Sequence, residues 1–306
     1  MGQSIAIMNT KGGVGKSTIA MGIAETASTY HGKSVLLIDS DPQTSMSIMM
    51  MPMPRWEKLE REKKTLVHYL AQTVLGDQEL DWKQFVATKV SDVEDATSIY
   101  LMPSHMELSL FERAVSEANR ARLLRTTIRK LLDDAMDTFD LVIIDCPPGI
   151  SILTEIWLRE VDYYLPPTKP DYLSARGLAI LGRFRELYPN MRFASNLGVV
   201  INMKDIRAPL DEEWHGRIAS IPENRCFSTA IPRRAYIQRA ADYDDSVRSY
   251  PAKYPGDAGD ALRSLVDEFL YRLSNETEAN NQGQGLNLEG ANAPLVTGDS
   301  QSELTD

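Results

Sequence analysis

Cysteine is scarce: Cys146 and Cys226 stand far apart in the 306 residues, with no CxxC pair. This argues against a disulfide framework and against the thiolate sets that hold zinc or iron–sulfur clusters, and it suits a reducing cytoplasm. Histidine is also rare. His31, His68, His105 and His215 are scattered without ligand spacing, and no serine stands in a nucleophile-elbow pattern. No apolar run approaches the ~20 residues of a membrane span, and the first strand-like run begins by Ile5, so no signal segment is expected. Met1–Gly2 suggests myristoylation, but Ala6 stands where that motif wants Ser or Thr. From Ser274 onward there is no Lys or Arg, while Glu276, Glu278, Glu289, Asp299, Glu303 and Asp306 carry six of the ten net negative charges. The remainder is only mildly acidic, which leaves room for a local basic patch.

What is present is a chain 43% hydrophobic, enough for a sizeable core. Strand-length apolar runs recur at Ser4–Asn9, Ser34–Asp39, Ile99–Pro103, Leu141–Asp145, Tyr163–Pro166 and Leu197–Asn202, with a short one at Ala230–Ile231. Helical periodicity fills most of the gaps, and runs apolar on both faces predict parallel strands covered by helices. The expected fold class is α/β, a doubly wound, mostly parallel sheet with helices on both faces. One domain is expected over 1–273. The stretch 274–306, rich in Asn, Gln, Gly, Glu and Thr, is expected to be a disordered acidic tail. The methionine-rich stretch Met46–Met53 reads as an adaptable apolar surface leading into a solvated helix, and Arg120–Leu132 as an amphipathic helix with a cationic face.

The chain is organised around Lys11–Gly–Gly–Val–Gly–Lys16–Ser17–Thr18, which follows the first strand and opens a helix. It reads as a phosphate-binding loop of the GxxxxGK[ST] type. Gly12, Gly13 and Gly15 clear side chains from where backbone N–H groups meet phosphate oxygens, and the helix starting near Lys16 aims its positive end there. Lys16 would reach the terminal phosphates, and the Ser17 hydroxyl would face Mg2+. Leu141–Val–Ile–Ile–Asp145 is a Walker B pattern, delivering a carboxylate for Mg2+ to the sheet's end. A third strand end, Asp39–Ser40–Asp41–Pro42–Gln43, converges on the same place, where a carboxylate near a γ-phosphate can orient water. The plain alternative for Asp41 is a cap before Pro42.

A second lysine, Lys11, opens the loop, and with it the sequence resembles the ParA/MinD family of deviant Walker A ATPases. The resemblance runs from about Ser4 to Leu273 through DSDPQ, Leu165–Pro–Pro–Thr168, Asp171–Tyr172–Leu173, Gly177–Leu178, Ile201–Arg207 and Ala230–Ile–Pro232–Arg233. It implies an ATP hydrolase with ATP and Mg2+ as cofactors and slow basal turnover. It assigns Lys11, Lys16 and Asp41 to catalysis, with Lys11 reaching across a nucleotide-sandwich homodimer and Asp41 positioning water. Gly12, Gly13, Val14, Gly15, Lys16, Ser17 and Thr18 would cradle the phosphates, Asn202 and Pro232 would contact adenine, and Ser17, Asp39 and Asp145 would serve the metal.

The resemblance further implies nonspecific DNA binding, stimulation by a ParB-like or cargo-adaptor protein, and a cytoplasmic, nucleoid-associated role in segregating or positioning a plasmid, chromosome region or protein cluster. Arg207, Arg233, Arg234 and Arg239 are the candidate phosphate contacts. After Arg233 the chain departs from the family, with Tyr236 where an arginine is expected. The alternative is that these arginines pair with Asp205, Asp242 or Asp244. Because the phosphate loop starts at once, an N-terminal helix-turn-helix is not expected. A MinD-like membrane- or protein-associated regulator is the second function class, but it calls for a basic amphipathic C-terminal helix and the acidic tail offers none, so no stable membrane association is expected.

Overall fold

The structure is a computed structural model that describes residues 1–289. Its strands are β1 (Gln3–Ile7), β2 (Val35–Asp39), β3 (Ile99–Met102), β4 (Leu141–Asp145), β5 (Tyr163–Leu165), β6 (Pro167–Thr168), β7 (Ser195–Asn196) and β8 (Val200–Ile201). Six form one sheet in the order β3-β2-β4-β1-β5-β7, and β6 pairs with β8; every pairing is parallel. The helices are α1 (Lys16–His31), α2 (Ser45–Met50), α3 (Met53–Arg61), α4 (Leu66–Leu70), α5 (Leu108–Glu117), α6 (Ala121–Met136), α7 (Ile152–Glu160), α8 (Tyr172–Leu187), α9 (Pro209–Ala219), α10 (Ala235–Arg239), α11 (Tyr250–Lys253) and α12 (Asp257–Glu289).

The central strands are buried on both faces, as their unbroken apolar runs require. Ala6, Leu36, Ile38, Val142 and Ile144 share one core with Leu124, Ile128, Leu131 and Leu132 of α6. The alternate residues Ile5, Ile7, Val35, Leu37 and Ile143 are equally buried, and α1 meets β1, β2, β3 and β4. From β1 the chain winds outward through β2 and β3, returns to insert β4 beside β1, and continues on the other side with β5. That reversal leaves the carboxyl ends of β1, β2 and β4 open together, the place where such sheets bind ligands.

Three local expectations need correction. The run Leu197–Asn202 is not one strand: the sheet's edge strand ends at Asn196, Gly198 turns at φ 138°, and Val200–Ile201 then pairs with β6. The break matches Pro166 on the neighbouring segment, which has no N–H to continue the ladder. Ala230–Ile231 forms no strand either. Ile231 donates to Ile201 and accepts from Lys204, and Arg233 donates back to Lys204, which makes a single bridge between Lys204 and Pro232 rather than a strand. Most of the methionine stretch is core rather than surface: Met46, Met50 and Met51 are fully buried, because α2 and the residue after it are folded inward, and only Met53 at the start of α3 is exposed. By contrast α3 buries no residue, as a solvated helix should.

Two compact units divide the chain, Met1–Glu268 and Phe269–Asp306. In the second, the helical backbone continues past Ser274 to Glu289, since extending an existing helix costs far less than starting one. The rest of the expected tail, 290–306, lies outside the described residues.

Within the first unit a buried charge cluster joins α1 to the segment before α12. The Lys253 ammonium donates to Glu25 Oε1 and Asp92 Oδ1, each at 2.7 Å, with all three side chains fully buried. Tyr254 and Ser91 also donate to Glu25, and Arg248 to Asp92. Every charge has an opposite partner, the condition under which ions are tolerated in a core.

Candidate nucleotide-binding site

At the end of β1 the backbone turns through Gly13 at φ 71° and Gly15 at φ 85° before α1 begins at Lys16. Gly15 cannot be replaced: a Cβ there would lie 2.3 Å from Asn202 Nδ2. The opening glycine of the ordinary phosphate-loop pattern is absent, its place taken by Thr10, whose hydroxyl donates to the carbonyl of Gly177 at 2.9 Å. Asn9 completes the anchorage: its Nδ2 donates to the Pro167 carbonyl at 2.8 Å, and its Oδ1 accepts the Lys11 backbone N–H at 3.0 Å. The loop is therefore tied to β6 and α8 before any ligand arrives. No sequence signal singled out Asn9 and Thr10, because their polar atoms serve backbone groups far along the chain.

The two loop lysines stand in opposite surroundings. Lys16 is 7% exposed, and burial lowers its pKa against the opposing pull of Asp145 and Asp41. Lys11 is exposed and has no ion pair among the described residues. Gly12 and Gly13 are exposed beside it, while Val14 is buried and Thr18 half-buried behind the loop.

Three strand ends bring the carboxylates together. Parallel pairing sets Ile7, Asp39 and Asp145 in register across β1, β4 and β2. Asp145 is 1% exposed, and neither carboxylate oxygen has a hydrogen-bond partner of normal geometry among the described residues. Burial and the neighbouring Asp39 push its pKa well up, while the Ser17 hydroxyl and Lys16 draw it back. Two buried oxygens left open beside a serine hydroxyl at a helix start form a hard-oxygen donor set that fits Mg2+. Among the described residues no group of three or more His, Cys, Asp or Glu is placed to hold a metal by itself.

Asp39 is differently placed. Its Oδ2 accepts both the backbone N–H (2.8 Å) and the hydroxyl (2.6 Å) of Ser47, and Oδ1 accepts the Asp41 N–H at 3.1 Å. Burial still raises its pKa to about 7. Asp39 thus braces the turn into α2 as well as facing Asp145, and Ser47 is a support that the sequence did not announce. Asp41 accepts the Gln43 N–H through Oδ1 at 2.9 Å, an Asx turn over Pro42. Its other oxygen makes no hydrogen bond among the described residues. It does not cap α2, whose N-cap is Thr44. Gly149, at φ 90°, follows β4 and turns the next loop, where Pro148 lies 3.9 Å from the position a Cβ of Gly12 would take.

Asn202 is buried behind the loop, donating to the Val14 carbonyl at 2.8 Å, and its own oxygen accepts the Met203 N–H. In this arrangement its amide holds the phosphate loop rather than facing solvent. Pro232 is buried and bridged to Lys204.

The arginines fall into two groups. Arg234 is paired with Asp257 through three contacts, so the ion-pair alternative holds for it, though with none of the aspartates expected from sequence. Arg207, Arg233 and Arg239 are exposed and unpaired among the described residues; Arg239 lies over the Tyr236 ring at 5.9 Å. Asp205 instead accepts the Arg207 backbone N–H, and Asp244 accepts from Ser246. On α6, Arg125 and Arg129 both pair with the buried Glu160, which removes them from the free cationic surface.

Known proteins are similar to this chain in sequence and in fold. The AAA domain family matches residues 2–194. The chromosome-partitioning ATPase Soj of Treponema pallidum is 27% identical over 259 residues, covering 84% of this chain and 93% of that protein. Among solved structures, cobyrinic acid a,c-diamide synthase from Mycobacterium smegmatis, with a bound ATP analogue and magnesium, superposes with a TM-score of 0.67 at 24% identity, covering 90% of this chain and 96% of that one. The pNOB8 ParA bound to nonspecific DNA superposes with a TM-score of 0.63 at 20% identity, covering 90% and 99%. The structural likenesses share the mostly parallel α/β fold. The chain belongs to the AAA domain family and, within it, to the ParA/MinD group of P-loop ATPases.

Proposed function

We propose that this chain is a ParA-type ATPase that closes around ATP and Mg2+ as a sandwich homodimer, binds duplex DNA without sequence preference, and segregates or positions a cargo when a ParB-like or adaptor protein stimulates hydrolysis. The observation that carries the reading is the contrast between the two loop lysines: Lys16 is turned inward to its own carboxylates, whereas Lys11 stands free at the mouth. A cation held outside its own site by a fixed backbone is placed to meet phosphates on a second molecule.

Lys16 and the loop N–H groups would hold the terminal phosphates, and Asp145 with Ser17 would hold the metal, with Asp39 supporting them. Bound Mg2+ would neutralise charge on the transferring phosphoryl group. The free oxygen of Asp41 would orient the attacking water, with the carboxylate itself held by its Asx turn. Arg207, Arg233 and Arg239 would contact DNA phosphates, Arg234 joining only if it left Asp257. Such a protein would work in the cytoplasm on the nucleoid; among the described residues no helix is long and apolar enough to cross a membrane.

The test is binding to nonspecific duplex DNA over a salt series without nucleotide, with ADP and with ATP, comparing wild type and Arg207→Glu. The expected result is ATP-dependent binding that weakens steeply with salt and is lost in the variant. Absence of binding in every nucleotide state would remove DNA from the proposal and leave the ATPase.

A further inference from the structure

Ser104 follows β3 and lies outside every motif of the phosphate site, yet it is fully buried and its hydroxyl reaches the carboxylate turn 39–42. We propose that Ser104 is a positioning residue: its hydroxyl and backbone N–H fix Asp41 and Asp39 together, so that the free oxygen of Asp41 keeps a single direction. The proposal rests on the reading of Asp41 as the group that orients the attacking water.

Four hydrogen bonds close a ring. The Asp41 N–H donates to Asp39 Oδ1 at 3.1 Å, and the Ser47 hydroxyl donates to Asp39 Oδ2 at 2.6 Å. The Ser104 N–H donates to Ser47 Oγ at 2.9 Å, and the Ser104 hydroxyl completes the circuit by donating to the Asp41 carbonyl at 2.7 Å. Asp39, Asp41 and Ser47 come from one short stretch, so bonds among them alone would let that stretch shift as a piece. Ser104 is 63 residues away from Asp41 and ties the ring to the end of another strand. Its own carbonyl accepts the Trp56 indole N–H at 3.3 Å, so each polar group of Ser104 is engaged.

The hydroxyl does more than satisfy a buried acceptor. The Asp41 carbonyl already accepts the Thr44 N–H at 2.9 Å, and Ser104 supplies a second donor. Two donors on the lone pairs of one carbonyl fix its plane, where one leaves it free to tilt. With the Asp41 N–H on Asp39 and its Oδ1 on the Gln43 N–H, every polar atom of Asp41 except one carboxylate oxygen is held. On the other side of the turn Ser40 is secured separately: its hydroxyl accepts the Trp157 indole N–H at 2.8 Å, and its N–H donates to the Asp145 carbonyl at 2.9 Å. A carboxylate that orients water acts through geometry, and a misplacement of about 1 Å can cost about 100-fold in rate.

The experiment is single-turnover ATP hydrolysis by the full chain with Mg2+, together with ATP affinity, for wild type, Ser104→Ala, Asp41→Ala and the double variant. Ser104→Ala should bind ATP within about threefold of wild type and hydrolyse it about tenfold or more slowly. In the Asp41→Ala background the same substitution should slow the reaction less than about twofold, because residues that act through one group are not additive. Urea unfolding checks that the variants are folded. If Ser104→Ala does not fold, Ser104→Cys keeps the shape with only a weak donor and carries the same comparison. Equal slowing in both backgrounds would leave Ser104 a purely structural role and overturn the proposal. An unchanged rate in Ser104→Ala beside a slow Asp41→Ala would overturn it as well, with the reading of Asp41 intact. An unchanged rate in Asp41→Ala would overturn that reading, and the proposal with it.

Discussion

The backbone of Gly177 approaches Asn9 so closely that a Cβ on the glycine would stand 2.5 Å from the Asn9 side-chain oxygen. It would also meet Lys11 Cβ and Thr10 Oγ1 at 3.2 Å, so α8 presses directly on the start of the phosphate loop. Gly177→Ala should therefore displace the loop, costing about 1–3 kcal/mol of stability and weakening ATP binding about tenfold or more. Gly182 on the same helix has nothing within 4 Å, and Gly182→Ala should be neutral or slightly stabilising. Urea unfolding and nucleotide titration on both variants check this, and equal behaviour of the two would remove α8 from the loop's support.

Lys16→Ala should abolish productive ATP binding, because the buried ammonium is the loop's own cation between Asp41 and Asp145. Isothermal titration reads the loss, and normal affinity would refute the assignment.

Asp41→Ala should bind ATP but hydrolyse it at least about a hundredfold more slowly, persisting in the ATP state. The Asx turn at Gln43 would go with the carboxylate, so Asp41→Asn is the cleaner companion: its side-chain oxygen can keep the turn while losing the charge. Unchanged single-turnover rates in both variants would take Asp41 out of the reaction.

Lys11→Ala should spare nucleotide binding by the monomer and impair ATP-dependent dimerisation, read by light scattering with a non-hydrolysable analogue. Its backbone N–H, not its side chain, is held by Asn9, so the loop should keep its course. A full ATP-dependent dimer in the variant would contradict a role across the interface.

Asp39 gives a pH prediction. Its folded pKa is raised to about 7 from the ordinary aspartate value of 3.8, so between those values the folded chain binds more protons than the unfolded one. Stability of the nucleotide-free, magnesium-free protein should therefore fall as pH rises from about 4 to about 7 on this group's account, then level off. Asp39→Asn should flatten that slope when urea unfolding is compared at pH 5 and pH 8. Identical slopes would show that Asp39 ionises freely.

Five strands of the main sheet were legible because each is a short run apolar on both faces, whereas the sixth, Ser195–Asn196, carries no apolar residue; the candidate site was legible where its chemistry lies along one contiguous motif. Lys11 to Thr18 and Asp145 are of that kind. What escaped notice depends on partners distant in the chain. Ser47 bracing Asp39, Gly177 against Asn9, and Asn202 holding Val14 leave no local pattern. The same holds for the arginines: spacing names Arg234 as readily as Arg233, and only Asp257, brought in by the start of α12, separates them. Likewise Pro166 and Gly198 break an apparently continuous edge into two short pairings.

The ion cluster at Glu25 bears on the order in which the protein is made. Glu25 belongs to the helix that begins at Lys16, yet its ammonium partner, Lys253, is 228 residues further along. Synthesis delivers the phosphate loop first and the neutralising lysine almost last, and a buried carboxylate left without its partner costs about 3–5 kcal/mol. A chain released before Lys253 should therefore fail to retain ATP on a filter. The ribosome would not carry a working nucleotide site until nearly all of the first unit had emerged.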